Sequence, residues 1–430
     1  MIQYKLFTTL MKTKPTRDLL NDLKRREQSF CVPMLKKWIQ RDYVITSPTI
    51  SYLGKGCVSQ LTTFLVSKPE IKKCLLVTSV GMDKFDAYKK PKEAVLKANK
   101  LIEEYTTLKE NPSTGQINEI VTKYQAANCD CLIAIGGGTA HDAVKAASLQ
   151  LVNPKELIKY QGLNPTKVKP IVKIHVNTTA GTGAEVTNVV VVTDTNSHRK
   201  FVVADKYLTP DVTFNDPDLM MQLPPSITAF TGADALVHAV ESYLSNDFDI
   251  QAKEYALEAL HLIFKYLPIA VKEPSNEQAR EMMCYAQYLA GYAFNITSLG
   301  IVHSMSHALT AMFGTPHGLA NAMLLPHILT YELRFSKVVA LLNRIARSFG
   351  INGDNSKQNS LVFISKVKQL FESIGIPSTL QIKDHPDITD AELEILTKQA
   401  MIDFCGISNP IQFKRKELKQ IYRYAQRGGK

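Results

Sequence analysis

The stretch "CLIAIGGGTAHDAVKAA", residues 131–147, constrains the fold more than any other. An unbroken apolar run stops at Gly136-Gly137-Gly138, and the residues after it have helical spacing. Such a run is too short for a helix and lacks the alternation of a half-exposed strand, so it reads as a strand buried on both faces. Strands of that kind belong to parallel sheets, whose crossovers are helices. Three further runs have the same form: "CLLVTS" at 74–79, "IVKIHV" at 171–176 leading into "NTTAGTG", and "VVVVTD" at 189–194. Helical patterns lie between them, at 117–128 and 140–151. The first half is therefore expected to be α/β, a largely parallel sheet with helices on both faces.

The character changes at Leu223-Pro224-Pro225. Helical patterns then follow one another at 227–245, 251–272, 277–296, 298–313, 318–334, 336–348, 357–374, 390–402 and 411–426, with no convincing strand and no internal repeat. The expected division is an N-terminal extension at 1–43, an α/β domain at 44–224 and an all-helical domain at 225–430.

With 430 residues, 45% of them hydrophobic, the chain can bury two such cores. No apolar run approaches the ~18 residues needed to span a membrane. A net charge of +11 favours anionic ligands. Nucleic acid is not expected among them, because there is no zinc finger, aromatic-basic motif or continuous basic helix. The seven cysteines are scattered and several sit in apolar runs, as reduced thiols of a cytoplasmic protein would. "MKTKPTRDLLNDLKRREQ" has no continuous apolar core and no cleavage site, so no secretory signal is expected there.

Two turns suit an anion. Gly136, Gly137 and Gly138 let the backbone approach a ligand closely, and the helix that opens near Thr139 presents free N–H groups to a phosphate. In "NTTAGTGAEVT" the hydroxyls of Thr178, Thr179 and Thr182 stand beside glycines after a second strand. Turns at the carboxyl ends of parallel strands face one crevice.

The helical half holds a cluster of histidines. "GIVHSMSHALTAMFGTPHG" carries His303, His307 and His317, and "TGADALVHAVESY" carries Asp234 and His238. Both helical pairs are four residues apart, so each pair shares a face. Several imidazoles and one carboxylate among apolar neighbours are costly to bury unpartnered. A divalent transition metal would satisfy them together, with one histidine left as a proton carrier.

"GGGTAHDAVKA", "TTAGTGAEVT", "GADALVHAVESY" and "GIVHSMSHALTAMFGTPHGLANAMLLP" together resemble the signatures of the iron-containing (group III) alcohol dehydrogenases, a family that includes lactaldehyde reductases and 1,3-propanediol dehydrogenases. The resemblance spans about residues 44–425. It implies a Rossmann-like dinucleotide-binding domain followed by a helical metal-binding domain, the dehydroquinate synthase-like arrangement. It implies Fe²⁺ (or Zn²⁺) held by Asp234, His238, His303 and His317, with His307 as the catalytic proton carrier. It also implies NAD or NADP lined by Ser79, Asn111, Gly136, Gly137, Gly138, Thr139, Asp142, Thr178, Thr179, Thr182, Val191 and Lys200. The implied reaction is hydride transfer between the dinucleotide and a small primary alcohol or aldehyde, by a homodimer.

One position departs from the pattern. NAD-preferring members often carry an aspartate where "VTSVGMDKF" has Ser79. Removing that charge lessens repulsion of a 2′-phosphate, so NADP(H) is expected to be accepted. The alternatives are a zinc-dependent polyol dehydrogenase of the glycerol type, against which His238 argues, a dehydroquinate synthase, whose metal carboxylate is usually Glu, and a non-catalytic nucleotide- or metal-binding protein.

Overall fold

The computed structural model describes residues 46–153, 155–163, 168–196 and 200–428. The expected N-terminal extension, 1–43, lies outside them. The described residues other than 248–250 form one compact unit. Its strands are β1 (Ile50–Leu53), β2 (Lys73–Ser79), β3 (Leu101–Leu108), β4 (Cys131–Gly136), β5 (Gly162–Leu163), β6 (Lys173–Asn177), β7 (Val189–Thr193), β8 (Lys200–Ala204) and β9 (Val212–Asn215).

Six strands make one sheet in the order β1-β9-β6-β4-β2-β3, and every neighbouring pair is parallel. β4 and the middle of β2 are buried on both faces, as their apolar runs require, and β6 is buried throughout although Lys173, His175 and Asn177 alternate with Ile174 and Val176. Cys74, Leu76, Cys131, Ile133 and Ile135 pack beneath helices α1 (Gln60–Val66) and α2 (Asp86–Lys97). The alternate residues Leu75, Val77, Leu132 and Ala134 pack beneath α3 (Thr114–Ala126) and α4 (Gly138–Val152). From β2 the chain goes to β3 on one side and returns past β2 to β4 on the other. The strand order thus reverses between β2 and β4. Their carboxyl ends, Ser79 and Gly136, border the crevice where open α/β sheets hold ligands.

Three expected strands, at 74–79, 131–135 and 171–176, coincide with β2, β4 and β6. The fourth, "VVVVTD", departs from expectation. It forms β7 in a separate sheet of order β5-β8-β7, antiparallel to β8. The short 3₁₀ turn Ala184–Val186 redirects the chain, and β7 alternates buried with half-buried residues instead of being buried throughout.

Nine helices follow among the described residues: α5 (Pro225–Leu244), α6 (Ile250–Lys272), α7 (Glu277–Thr297), α8 (Ile301–Phe313), α9 (His317–Glu332), α10 (Ser336–Ser348), α11 (Ser356–Ser373), α12 (Asp390–Ile402) and α13 (Arg415–Gln426). They fit the nine expected helical patterns except at their ends. The pattern at 298–313 begins only at Ile301, because Ser298, at φ 60°, and Gly300 break the chain between α7 and α8. α5 is buried on nearly every side from Thr228 to Leu244, so it can carry polar groups only where they are satisfied. It packs against α7 and α9, and α8 packs against α9 and α12. None of the helices among the described residues is long and apolar enough to cross a membrane.

Candidate metal and dinucleotide site

α5, α8 and the start of α9 bring the expected metal ligands together. Asp234 Oδ1 lies 3.7 Å from His238 Nε2, 3.7 Å from His303 Nε2 and 3.6 Å from His317 Nε2. Asp234, His303 and His317 place one ligand atom each within 4.8 Å of one another. His238 stands outside that trio and joins it through Asp234. Its ring stacks on His303 at 4.7 Å between centroids and meets Phe294 at 4.5 Å. Asp234, His238 and His303 are buried, and His317 is half-buried. The close approach of α9 to α5 depends on Gly318, where a Cβ would fall 2.1 Å from Phe230 O and 3.2 Å from Asp234 Cβ.

The donor set fits a divalent transition metal. Atoms about 2.1 Å from one centre in a tetrahedron stand roughly 3.4 Å apart, close to the spacings around Asp234 Oδ1. The groups also lack enough partners of their own. Asn321 Nδ2 stands 2.7 Å from Asp234 Oδ1, 3.1 Å from His303 Nε2 and 3.1 Å from His317 Nε2, three acceptor positions for two hydrogens. Its own Oδ1, His238 Nδ1 and His317 Nδ1 are buried without a hydrogen-bond partner. Burial holds the His238 imidazole down to about 4, the neutral form a metal ligand needs. Burial alone would raise the Asp234 carboxyl, but His238, His317 and His303 together keep it below the usual carboxylate range.

Two carboxylates escaped the sequence reading. Glu241 Oε2 lies 2.5 Å from His303 Nδ1, and Asp403 Oδ2 lies 2.9 Å from His307 Nδ1. Glu241 follows Asp234 by seven residues and His238 by three, so its place on the same face of α5 was a readable signal. Asp403 is brought in by the 3₁₀ turn after α12, and nothing local in the sequence marks it. It also accepts from Ser304 Oγ at 3.2 Å and from Cys405 N at 2.9 Å. His307, Asp403 and Cys405 cluster as three metal-competent side chains would. Cys405 joins the cluster through its backbone N–H to Asp403 Oδ1 at 2.9 Å, and burial pushes its thiol well above its ordinary value.

Of the expected dinucleotide residues, Ser79, Asn111, residues 136–139, Thr178, Thr179 and Thr182 lie at or just after the carboxyl ends of strands, while Asp142 is on α4, Val191 in the middle of β7 and Lys200 at the start of β8. A Cβ on Gly137 would fall 2.9 Å from the Thr179 side chain, and one on Gly138 3.0 Å from that of Thr182, so the two turns touch. Gly136 O accepts from Thr178 N at 3.0 Å. Gly137 is the N-cap of α4 and offers no side chain, and Thr139 lies in the first turn, where N–H groups are free for an anion. Asp142 Oδ2 accepts from Val191 N at 3.0 Å, and Lys200 Nζ donates to Asn111 Oδ1 at 2.7 Å. Burial pushes the Asp142 carboxyl up to about 6 and the Lys200 ammonium down to about 8. Ser79 joins this group only through the sheet, at the end of the strand beside β4.

The second turn is also fixed to the helices. A Cβ on Gly183 would fall 2.6 Å from Gly291 Cα on α7, and one on Gly181 2.6 Å from Thr231 Cβ on α5. Gly183 N donates to Gln287 Oε1 at 3.1 Å. A cavity of about 400 Å³ lies between the small sheet and the helices, bounded by Lys200, Phe201, Ser304, His307, Ala308 and Asp403 among others. His307 connects it to the Asp/His cluster, with its ring stacked on His317 at 5.0 Å and edge-on to His303 at 6.0 Å.

A parallel sheet with glycine turns at its switch point, beside a helical bundle with an Asp/His cluster, defines a metal-dependent dehydrogenase architecture. The comparisons agree. Residues 48–217 match the family model for iron-containing alcohol dehydrogenase, and residues 228–426 match that for the C-terminal part of the Fe-containing alcohol dehydrogenase family. Alcohol dehydrogenase 4 of Schizosaccharomyces pombe is 33% identical over 427 residues, covering 98% of this chain and 96% of the relative. NAD-dependent methanol dehydrogenase of Bacillus methanolicus is 33% identical over 384 residues, covering 88% and 98%. A crystal structure of 1,3-propanediol oxidoreductase superposes with a TM-score of 0.85 at 33% identity, covering 90% of this chain and 100% of that one. This chain belongs to the iron-containing alcohol dehydrogenase family, and it is an oxidoreductase.

Proposed function

We propose that the protein interconverts small primary alcohols and aldehydes, exchanging a hydride with NAD(H) or NADP(H). The observation that carries this reading is the convergence of three imidazole Nε2 atoms on Asp234 Oδ1 at 3.6–3.7 Å. Asp234, His238, His303 and His317 would hold iron. When bound, the metal supplies Lewis acidity toward the substrate oxygen, and the nicotinamide supplies or accepts the hydride.

The chain's own groups do the rest. The Gly136–Thr139 turn and the start of α4 orient the dinucleotide phosphates, with Thr178, Thr179 and Thr182 beside them. Asp142 buttresses β7 at Val191, and Lys200 adds a positive charge at the cavity wall. His307, facing the cavity and held through Nδ1 by Asp403, moves the alcohol proton between the substrate and solvent. Ser79 puts no negative charge where a 2′-phosphate would lie, which supports use of NADP(H).

We extend the reading to a homodimer in the cytoplasm, with an α/β domain and a helical domain meeting near Leu223–Pro225. Unbridged cysteines among the described residues, five of the six buried, support the reducing compartment. The test is metal analysis of protein purified without oxygen, followed by NAD(P)H oxidation with a panel of short aldehydes and a sizing measurement. Turnover that requires the metal and disappears in His303→Ala is expected. Full metal and full turnover in that variant would refute the ligand assignment, and bound nucleotide without turnover would favour a binding protein.

A further inference from the structure

We infer that Glu241 is a positioning residue of the metal centre, setting both the tautomer of His303 and the seat of the helix that carries it. This rests on His303 being a metal ligand. Glu241 is buried on α5, one turn beyond His238. Its two oxygens have separate tasks. Oε2 lies 2.5 Å from His303 Nδ1, and Oε1 accepts from Val302 N at 2.7 Å.

The first contact decides where the imidazole proton sits. Where the carboxylate accepts, His303 Nδ1 carries the hydrogen. A ring held this way can ligate a metal only through Nε2, the atom 3.7 Å from Asp234 Oδ1. A carboxylate behind a ligating imidazole fixes ring orientation and raises ligand basicity. The second contact holds the backbone. α8 begins at Ile301 after Gly300, whose lack of a side chain leaves the helix without its own cap. Neighbours supply the missing acceptors: Asn409 Oδ1 takes Ile301 N at 2.9 Å, and Glu241 Oε1 takes Val302 N. A negative group there also opposes the positive end of the α8 dipole. One side chain thus clamps the ligand ring and the residue preceding it.

The chemistry singles out glutamine as the informative substitution. In Glu241→Gln one oxygen becomes NH₂. If that NH₂ faces Val302 N, two donors collide. If it faces His303 Nδ1, the ring must accept there, the proton moves to Nε2, and the lone pair for the metal is gone. Either orientation weakens the site without removing a ligand.

The test is competition of Zn²⁺ and Co²⁺ against a chromophoric chelator, on full-length metal-free protein. Parent, Glu241→Gln, Glu241→Asp and Asp216→Asn are compared, with melting temperatures recorded alongside. Asp216 is a buried carboxyl that accepts from Gly56 N and Val58 N in the α/β half, so it controls for the loss of a buried acid elsewhere in the fold. Glu241→Gln should bind either ion about 10–100-fold more weakly. Glu241→Asp keeps the carboxyl but withdraws it by one methylene, and it should also lose affinity. It decides the matter if the glutamine variant does not fold. Asp216→Asn should bind as the parent does. Parent-like affinity in both Glu241 variants, or an equal loss in Asp216→Asn, overturns the inference. Failure of the parent itself to bind either ion would instead overturn the metal reading beneath it.

Discussion

Asp403 Oδ2 lies 2.9 Å from His307 Nδ1, the same relation that Glu241 has to His303 one helical turn earlier. Both histidines of the His-x-x-x-His pair are therefore held from behind by a carboxylate, but only His303 points at Asp234. The two should separate experimentally. His307→Ala is expected to keep its metal and lose turnover by about 10²–10⁴-fold, the range for a general acid or base. His303→Ala should lose metal and turnover together. Metal content and kcat measured on the same preparations check both outcomes, and metal loss in His307→Ala would make it a ligand instead.

Gly318→Ala probes the contact between α5 and α9. The added methyl would meet Phe230 O at 2.1 Å, a backbone atom that cannot rotate away. α9 must shift, taking His317 with it and away from Asp234. Overpacking of this kind costs about 1–3 kcal/mol. The expected result is a lower melting temperature together with weaker metal binding. A fall in stability at unchanged metal affinity would show that His317 adapts.

Ser79→Asp should change the preference between dinucleotides. Ser79 ends the strand beside β4 at the switch point, where an adenosine ribose would lie. A carboxylate there repels a 2′-phosphate and can accept from ribose hydroxyls. Steady-state kcat/KM with each cofactor should show the NADH/NADPH ratio rising about tenfold or more. An unchanged ratio would place the ribose elsewhere.

Glu332 predicts a pH effect on stability. Its carboxyl is buried and accepts from Asn409 Nδ2 at 2.8 Å, and burial, with some repulsion from Glu241, pushes it up to about 8. The folded chain therefore keeps this proton over a range in which the unfolded chain has released it. A carboxyl raised in this way favours folding most at low pH. Its contribution falls as pH climbs from roughly 4.5 to 8, by up to about 1.4 kcal/mol per pH unit. Glu332→Gln removes the dependence, so its melting temperature should gain on the parent between pH 5 and pH 8. Parallel melting curves across that range would show that Glu332 is ionised in the fold.

What could be read from the sequence followed from how local the cause is. The Asp/His cluster was visible because Asp234/His238 and His303/His307 each share one helix face, so one-dimensional spacing carries the three-dimensional proximity. β2 and β4 were visible because burial on both faces demands unbroken apolar runs. β3 was not, because it sits at the sheet edge with Glu103 and Glu104 half-exposed. There Lys123 holds Glu103 at 3.0 Å, and Tyr88 and Lys92 hold Glu104 at 2.6 and 2.8 Å. Those glutamates break the apolar pattern, and only tertiary partners restore it. Glu241 shares its face of α5 with Asp234 and His238, a signal local spacing carried, but its partner His303 lies 62 residues on. Asp403 is 96 residues from His307, and no spacing rule reaches that far.

The glycine contact between Gly183 and Gly291 has a mechanical consequence. Backbone meets backbone there with no side chain between, and Gly181 is seated as tightly on Thr231 of the helix that bears Asp234. The loop expected to cradle the coenzyme is thus joined by main-chain contact to the helices that carry the Asp/His cluster, so a side chain added at Gly183 or Gly291 would push the two halves of the proposed site apart.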